Sequence, residues 1–315
     1  MHNLLFRTAR LERSFRITRR ARTFAVPVAV LLGCCGLLAA QDEKPKPPAS
    51  GSRLGALSHW DDGMAEMCYY DAKKTIYGKP RTYTRVHILI REFMDVRTGV
   101  KSDDGERSDT LAVFKLNICE EIPTENYNYR LMTSVFLDRR TLRPVKTVSA
   151  SQEWCGTTFK HLRWTESGLN FKSFSYFGDE ADREWRLPAS VTPLEAASIL
   201  AREVVAAGGD TNAVELGEML APLRTNHGGA QRHAPATIEV ADAAALRVPA
   251  GTFEVTPVTI RTSGRDYKYW IETAPPHRLI RYDFGDESGV LRFHERRAYW
   301  DRKWASGFHK PEQAP

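Results

Sequence analysis

GTFEVTPVTIRTSGRDYKYWIETA (residues 251–274) carries the clearest strand pattern of the sequence, and HRLIRYDFGDESGVLRFHERRAYW (residues 277–300) repeats it. In both stretches apolar and aromatic side chains alternate with polar ones, and Gly, Pro or Asp residues separate the runs. Because successive side chains of a strand point to opposite faces, a period of two predicts antiparallel strands joined by hairpins. The apolar phase slips at Pro257, which predicts a bulge or an edge strand there.

The N-terminal half carries the same alternation in three segments: RTYTRVHILIREFMDV (81–96), DTLAVFKLNICEEI (109–122) and NYNYRLMTSVFLD (126–138). In the first segment Val86, Ile88 and Ile90 share one face of the predicted strand, whereas His87 and Arg91 share the other. The segments are rich in β-branched and aromatic residues, which favour strands. They predict further antiparallel pairing.

One segment has the pattern of a helix. Thr192 stands where an N-cap is expected, Pro193 follows at the first helical position, and Glu195 completes a capping box. Apolar residues then recur near helical spacing, and Gly208 with Gly209 marks the end. We expect a helix over residues 193–207 that lies across or between two β segments.

Residues 1–40 have the features of a secretory signal peptide. Arginines crowd the first 22 residues, and the apolar run FAVPVAVLLGCCGLLAA (24–40) follows. Pro27 interrupts this run, which is short for a bilayer-spanning helix of about 20 residues. We expect cleavage before Gln41 and export to the periplasm or cell envelope, with lipid anchoring at Cys34 as the alternative. No transmembrane helix is expected in the mature chain.

Charge excludes one class of partner once this leader is removed. Seven of the 45 Lys and Arg residues and one of the 39 Asp and Glu residues lie in residues 1–40, so the remainder carries 38 of each. A mature chain with no net charge gives no electrostatic reason to bind nucleic acid.

The domain organisation follows from composition. A Pro-, Lys- and Ser-rich stretch after the leader reads as a disordered linker, and the last residues as a tail. Between them we expect one β-rich domain, or two packed halves joined by the helix and a polar linker. The predicted boundaries are 41–56 for the linker, 57–303 for the domain, 57–187 and 236–303 for the halves, and 304–315 for the tail.

Two resemblances add to this prediction. Residues 59–83, 114–136 and 151–162, the last with the motif QEWCG, resemble a family of secreted bacterial proteins of unknown function, some of them mislabelled septum formation inhibitor. Residues 248–295 are similar in pattern to uncharacterised envelope proteins with the lipoprotein-carrier (LolA-like) fold. The resemblance implies a mainly β (α+β) fold, in which a curved antiparallel sheet or open half-barrel wraps around one or a few helices. It implies no catalytic residue.

Three cysteines remain after the leader. In an exported protein three thiols allow one disulfide and one free thiol. We expect the pair Cys68–Cys119, with Cys119–Cys155 as the rival pairing.

Glu153, Cys155 and His161 are the candidate catalytic residues, since a cysteine nucleophile needs a nearby base. His161 would lie roughly 20 Å from Cys155 along one extended strand, too far for contact unless a turn intervenes. The competing interpretation is that Trp154 fills the core and Cys155 packs beside it as a small apolar residue.

Aromatic residues on the C-terminal strands are candidates to line an apolar groove, namely Tyr267, Tyr269, Trp270, Tyr282, Phe284 and Phe293. The chain has neither the spacing of a zinc site nor a nucleotide-binding motif, so no metal and no cofactor is expected. Three functions stay open: a non-catalytic binding or assembly module for a lipid, an apolar ligand or an envelope protein; a Cys-dependent hydrolase or transferase; and a scaffold without ligand.

Overall fold

The computed structural model describes residues 51–178, 180–228 and 232–301. The predicted signal peptide, most of the linker and the tail lie outside these residues. The elements are β1 Ala65–Ile76, β2 Lys79–Asp95, β3 Thr110–Pro123, β4 Asn128–Asp138, β5 Pro144–Glu153, β6 Gly156–Thr165, β7 Gly168–Ser175, β8 Arg183–Leu187, β9 Val191–Pro193, β10 Glu218–Leu220, β11 His233–Val240, β12 Ala244–Val248, β13 Gly251–Thr262, β14 Arg265–Glu272, β15 Leu279–Asp283, β16 Glu287–Arg297, α1 Arg53–Ala56 and α2 Ala197–Ala206.

All sixteen strands belong to one sheet in the order β8-β7-β6-β5-β4-β3-β2-β1-β16-β15-β14-β13-β11-β10-β9, with β12 paired to β13. Every pairing is antiparallel except that of β9 with β10. The two ends of the sheet approach each other, since the Trp164 indole on β6 donates to the carbonyl of Val191 on β9 at 3.0 Å. The result is a nearly closed barrel, which confirms the predicted fold class.

Helix α2 lies inside the barrel, with every residue from Ala197 to Val205 buried. Leu194 and Ala201 pack against the C-terminal strands, whereas Ile199 and Leu200 pack against β2, β3 and β4. In the described ranges no helix is both long and apolar enough to cross a membrane.

The helix is shorter than predicted, and it begins differently. Thr192 and Pro193 belong to β9, and a 3₁₀ turn from Leu194 to Ala196 precedes α2. The Glu195 carboxylate accepts from the backbone N–H of Leu223 at 2.8 Å, so it closes no capping box. The local pattern assigns the Glu195 side chain to the helix end, but in the structure it bonds to Leu223, which is remote in sequence.

Strand β2 shows how the interior is built. The predicted alternation is present, but Arg85, His87 and Leu89 are the buried set that points inward. Val86 and Ile88 are half-buried on the outer face, in a cluster around Met67. The inward face of β2 therefore mixes charged and apolar side chains.

Pro257 lies inside the sheet, so the predicted edge strand is wrong. Strand β13 pairs with β14 without a register shift from Val255 to Thr262, which also excludes a bulge on that side. On its other side β13 pairs with β12 up to Val255 and with β11 from Val258. Pro257 stands in the gap between these two neighbours, where a missing N–H costs no ladder hydrogen bond.

Candidate functional site: an aromatic face outside the barrel

Residues 221–228, here called the plug, fill the barrel between β5–β7 and the opposite wall. The Lys160 ammonium group donates to the carbonyls of Leu223 at 2.7 Å and Thr225 at 3.0 Å, and Ser149 donates to the Leu223 carbonyl at 3.1 Å. The Leu223 side chain packs in an apolar cluster with Leu162. Burial lowers the pKa of Lys160 to about 8.

A buried ion network anchors the plug. Arg224 donates to Glu120 at 3.0 Å and to Glu287 at 2.8 Å, and Arg85 donates to the same two carboxylates. Burial alone would raise the pKa of Glu120, but Arg85 and Arg224 lower it to about 2. Because removing one partner from such a network leaves an uncompensated buried charge, the plug is held firmly.

In the described residues the plug and the side chains packed against it fill the space where an apolar groove was predicted. Four of the six groove candidates, Tyr267, Tyr269, Tyr282 and Phe284, are buried, and the Phe284 ring lies 5.2–5.3 Å from each of the other three. The cavity between them, the plug and α2 is about 20 Å³, far too small for an acyl chain. These four form a core, so the expectation that they line a groove is wrong.

The other two groove candidates lie on the outer surface. Phe293 is 53% exposed and packs beside Tyr69. Trp270 is half-buried under the Arg281 guanidinium, 4.5 Å from the ring centre.

The predicted disulfide is also wrong, because all three described cysteines are free. Cys68 pairs across the sheet with His87 on β2, and Cys119 pairs with Val86 on the other side of the same strand. With one strand between them, their Cα atoms are about 9–10 Å apart, beyond the ~7 Å limit for a bridge. Cys155 is remote from both, in the turn between β5 and β6.

The EWCG turn lies on the surface, which overturns the prediction that Trp154 fills the core. Trp154 is 86% exposed, and Cys155 is exposed beside it. The Tyr127 hydroxyl lies 2.8 Å from the Cys155 sulfur and 3.1 Å from a Glu153 carboxylate oxygen, and it can donate its one proton to either.

His161 does not join this turn. It lies well inside β6, paired with Val148 on one side and Lys172 on the other. Strand rise places it about 16 Å or more from the turn. No hydrogen bond in the described residues connects it with Cys155, so the nucleophile–base pair does not form.

Trp154 forms one wall of a surface cleft. Its indole stacks on the Tyr127 ring at 5.6 Å and 22°. The cleft has a volume of about 350 Å³ and a mixed lining of Tyr127, Asn128, Arg130, Gln152, Glu153 and Trp154. It combines an aromatic platform with amide, guanidinium and carboxylate groups.

A row of apolar side chains runs from this cleft across the outer surface. Met132, Phe159 and Phe174 are 40–47% exposed. Met132 pairs with Ala150, Ala150 with Phe159, and Phe159 with Phe174, so the row crosses β4, β5, β6 and β7. The two phenylalanine rings are 6.3 Å apart.

Tyr176 extends the same surface, and 79% of it is exposed. Its ring lies over Gly156, where an added Cβ would stand 2.7 Å from a ring carbon. The surface formed by Tyr127, Met132, Trp154, Phe159, Phe174 and Tyr176 is here called the aromatic face.

The inner surface of the same strands combines buried apolar residues, such as Leu162 and Phe171, with a polar part that contacts the plug, which explains why the aromatic face was missed. Ser149, Lys160 and Ser173 are buried and donate to the plug, while Phe159 and Phe174 point outward. Alternation alone assigns the apolar phase to the core. On β5, β6 and β7, Ser, Thr and Lys residues recur at every second position. This polar alternation is the sequence signal that could have indicated that the polar side chains point inward and the aromatic ones outward.

A larger surface cleft, of about 500 Å³, lies outside β1, β2, β15 and β16, and its lining is mainly charged and hydroxyl-bearing. Arg292 pairs there with Asp71 at 3.3 Å. We prefer the smaller cleft as the candidate site because it adjoins exposed aromatic rings, whose exposure to water calls for an explanation.

The acidic turn near the N-terminus forms ion pairs with arginines. Asp61 pairs with Arg139 at 2.6 Å, Asp62 pairs with Arg296, and His59 faces Glu66 at 3.6 Å. The described ranges contain no group of three His, Cys, Asp or Glu residues arranged to hold a metal ion.

No family model and no curated protein matches the chain. Among solved structures it is similar to the crystal structure of a beta-barrel-like protein of domain of unknown function DUF1849 from Brucella abortus. That match has 11% sequence identity and a TM-score of 0.46, and covers 74% of this chain and 98% of that chain. The resemblances noted from the sequence stay predictions.

Proposed function

We propose that this protein is an exported, non-catalytic binding module that holds a protein partner against the aromatic face. The observation that carries the proposal is the position of Trp154, which is 86% exposed at the edge of a 350 Å³ cleft. Export rests on the composition of residues 1–40.

The chemistry of the face favours a protein partner. Its exposed residues are Tyr, Trp, Phe and Met, with Arg130 at the cleft, and these are the residue types enriched where proteins meet. Tyr and Trp are also the commonest residues whose truncation weakens a complex strongly. Asn128 and Gln152 supply hydrogen-bonding groups that suit a peptide backbone.

The filled interior argues against a lipid carried inside the barrel. An acyl chain needs a cavity of several hundred Å³, and the space beside α2 is about 20 Å³. The same geometry argues against a Cys-dependent enzyme, because Cys155 contacts Tyr127 and lies far from His161. A scaffold without ligand leaves the exposed aromatic row unexplained.

Site-specific photo-cross-linking in the native cell tests the proposal. A photoreactive residue replaces Phe159 on the face or, as a control, Lys268, which is exposed on β14. We expect one discrete adduct from position 159, none from position 268, and loss of the adduct when Trp154→Ala is added. The matched control is Trp300→Ala, since Trp300 is also an exposed tryptophan packed on a tyrosine.

The purified adduct partner is then titrated against the full chain. Trp154→Ala should raise the dissociation constant at least tenfold, which is a typical effect of removing an anchoring aromatic residue. Adducts of equal yield from both positions would contradict the proposal. So would flotation of the protein with phosphatidylglycerol vesicles in place of a protein adduct, because the face would then bind lipid.

A further inference from the structure

The strongest unassigned feature is the small cavity between the plug, α2 and the barrel wall. It lies deep in the protein, and its polar lining comes from several separate parts of the chain. His87 belongs to β2, Glu195 and Ser198 to the start of the helix, and Arg224 to the plug. All four are more than 90% buried.

Several polar atoms of this lining have no hydrogen-bond partner in the described residues. They are Nε2 of His87, Oε2 of Glu195, Nε of Arg224 and the hydroxyl of Tyr282, which lines the cavity from β15. The other Glu195 oxygen accepts from Leu223 and lies 3.6 Å from the Arg224 Nε. Leaving a buried polar atom unpaired destabilises the fold, so several such atoms around one cavity indicate a ligand.

We propose that this cavity binds one structural water molecule, which hydrogen-bonds to His87, Glu195 and Arg224. The volume of about 20 Å³ admits one water, since a buried water needs roughly 10–15 Å³ of such space and two to four polar partners. The water accepts from the Arg224 Nε–H and donates to the Glu195 carboxylate. Its second hydrogen goes to Nε2 of His87, whose pKa burial holds well below its usual range, so the imidazole is neutral.

Charge selects a neutral ligand over an ion. The basic groups around the cavity and its network are Arg85, Arg224, Lys74 and Lys160, and the carboxyl groups are Glu120, Glu195 and Glu287. An ion in a cavity with the volume of one water would lose its hydration shell, which is a far larger cost than burying a neutral water. Water fills the cavity without that cost and links the plug to the helix.

A crystal structure of the full chain at about 1.5 Å or better tests the proposal. We expect one peak within hydrogen-bonding distance of Nε2 of His87 and Oε2 of Glu195, refined as a fully occupied water. An empty cavity would overturn the proposal, and so would a peak with the anomalous signal of chloride.

The stability of a Ser198 variant provides a second test, because a bound water and an empty cavity predict opposite changes in the unfolding constant. Ser198→Thr adds one methyl group beside the cavity and keeps the hydroxyl. If a water is bound, the methyl displaces it and leaves polar atoms unpaired, so the unfolding constant should rise about fivefold or more. If the cavity holds nothing, the methyl fills it and the unfolding constant should fall, which would refute the proposal. Ser198→Ala, which leaves room for the water, should change the constant less than threefold.

Discussion

Replacing Trp154 with Ala should cost little stability, although tryptophan is the largest side chain. With 86% of the residue exposed, roughly a seventh of its ~250 Å² is buried, which corresponds to about 0.9 kcal/mol. The stack on Tyr127 adds about 0.5 kcal/mol at so exposed a site. We expect Trp154→Ala to lower the free energy of unfolding by roughly 1.4 kcal/mol.

Trp60 serves as the buried control for Trp154. It is 1% exposed, its indole donates to the Leu54 carbonyl at 2.9 Å, and its ring packs edge-on against Phe114 at 5.1 Å. Trp60→Ala should therefore cost about 3–5 kcal/mol. Urea denaturation monitored by circular dichroism measures the loss in the free energy of unfolding for both variants. A loss above 3 kcal/mol for Trp154→Ala, or equal losses for the two variants, would refute the assignment of Trp154 to the surface.

Three further predictions concern other parts of the protein. Iodoacetamide should modify Cys155 rapidly in the folded state and spare Cys68, which is buried with a raised thiol pKa; mass spectrometry after a short pulse shows which thiol reacted. Burial opposes the ionisation of Glu66, but Arg202, His59 and Arg278 together outweigh it and lower the Glu66 pKa from 4.5 to about 2. Its charge therefore stabilises the fold above pH 4.5, and about 3 kcal/mol should be lost as pH falls toward 2. In urea titrations at pH 7 and pH 3, the stability gap between the wild type and Glu66→Gln should narrow at the lower pH. Gly289→Ala places a Cβ about 2.5 Å from an aromatic ring and should cost about 1–3 kcal/mol, whereas Gly264→Ala meets no atom within 4 Å and should stay within about 0.5 kcal/mol in thermal melts.

Local pattern was sufficient for much of the fold. The alternation in residues 251–272 corresponds to the hairpin of β13 and β14, and the helical spacing after residue 193 corresponds to α2. Both signals are local, since period follows from how a strand or helix places its own side chains. Pro257 was misjudged because its position depends on two neighbouring strands that end on either side of it.

The site could not be predicted because it depends on what fills the barrel. Phe159 points outward since the adjacent Lys160 is needed inside, where it donates to the plug carbonyls. Nothing in the spacing of residues 149–164 reveals that the plug, more than 60 residues later, enters the barrel at this point. Trp154 was placed in the core because large apolar residues usually lie there.

In the proposed complex the partner binds outside the barrel while the plug stays in place. Hydrogen–deuterium exchange of the full chain, free and bound to the partner identified by cross-linking, tests it most directly. We expect slower exchange on binding at residues 127–132 and 152–159 and unchanged exchange at residues 221–228. Faster exchange at residues 221–228 without protection of the two turns would show that the partner displaces the plug and enters the barrel, which would contradict the account.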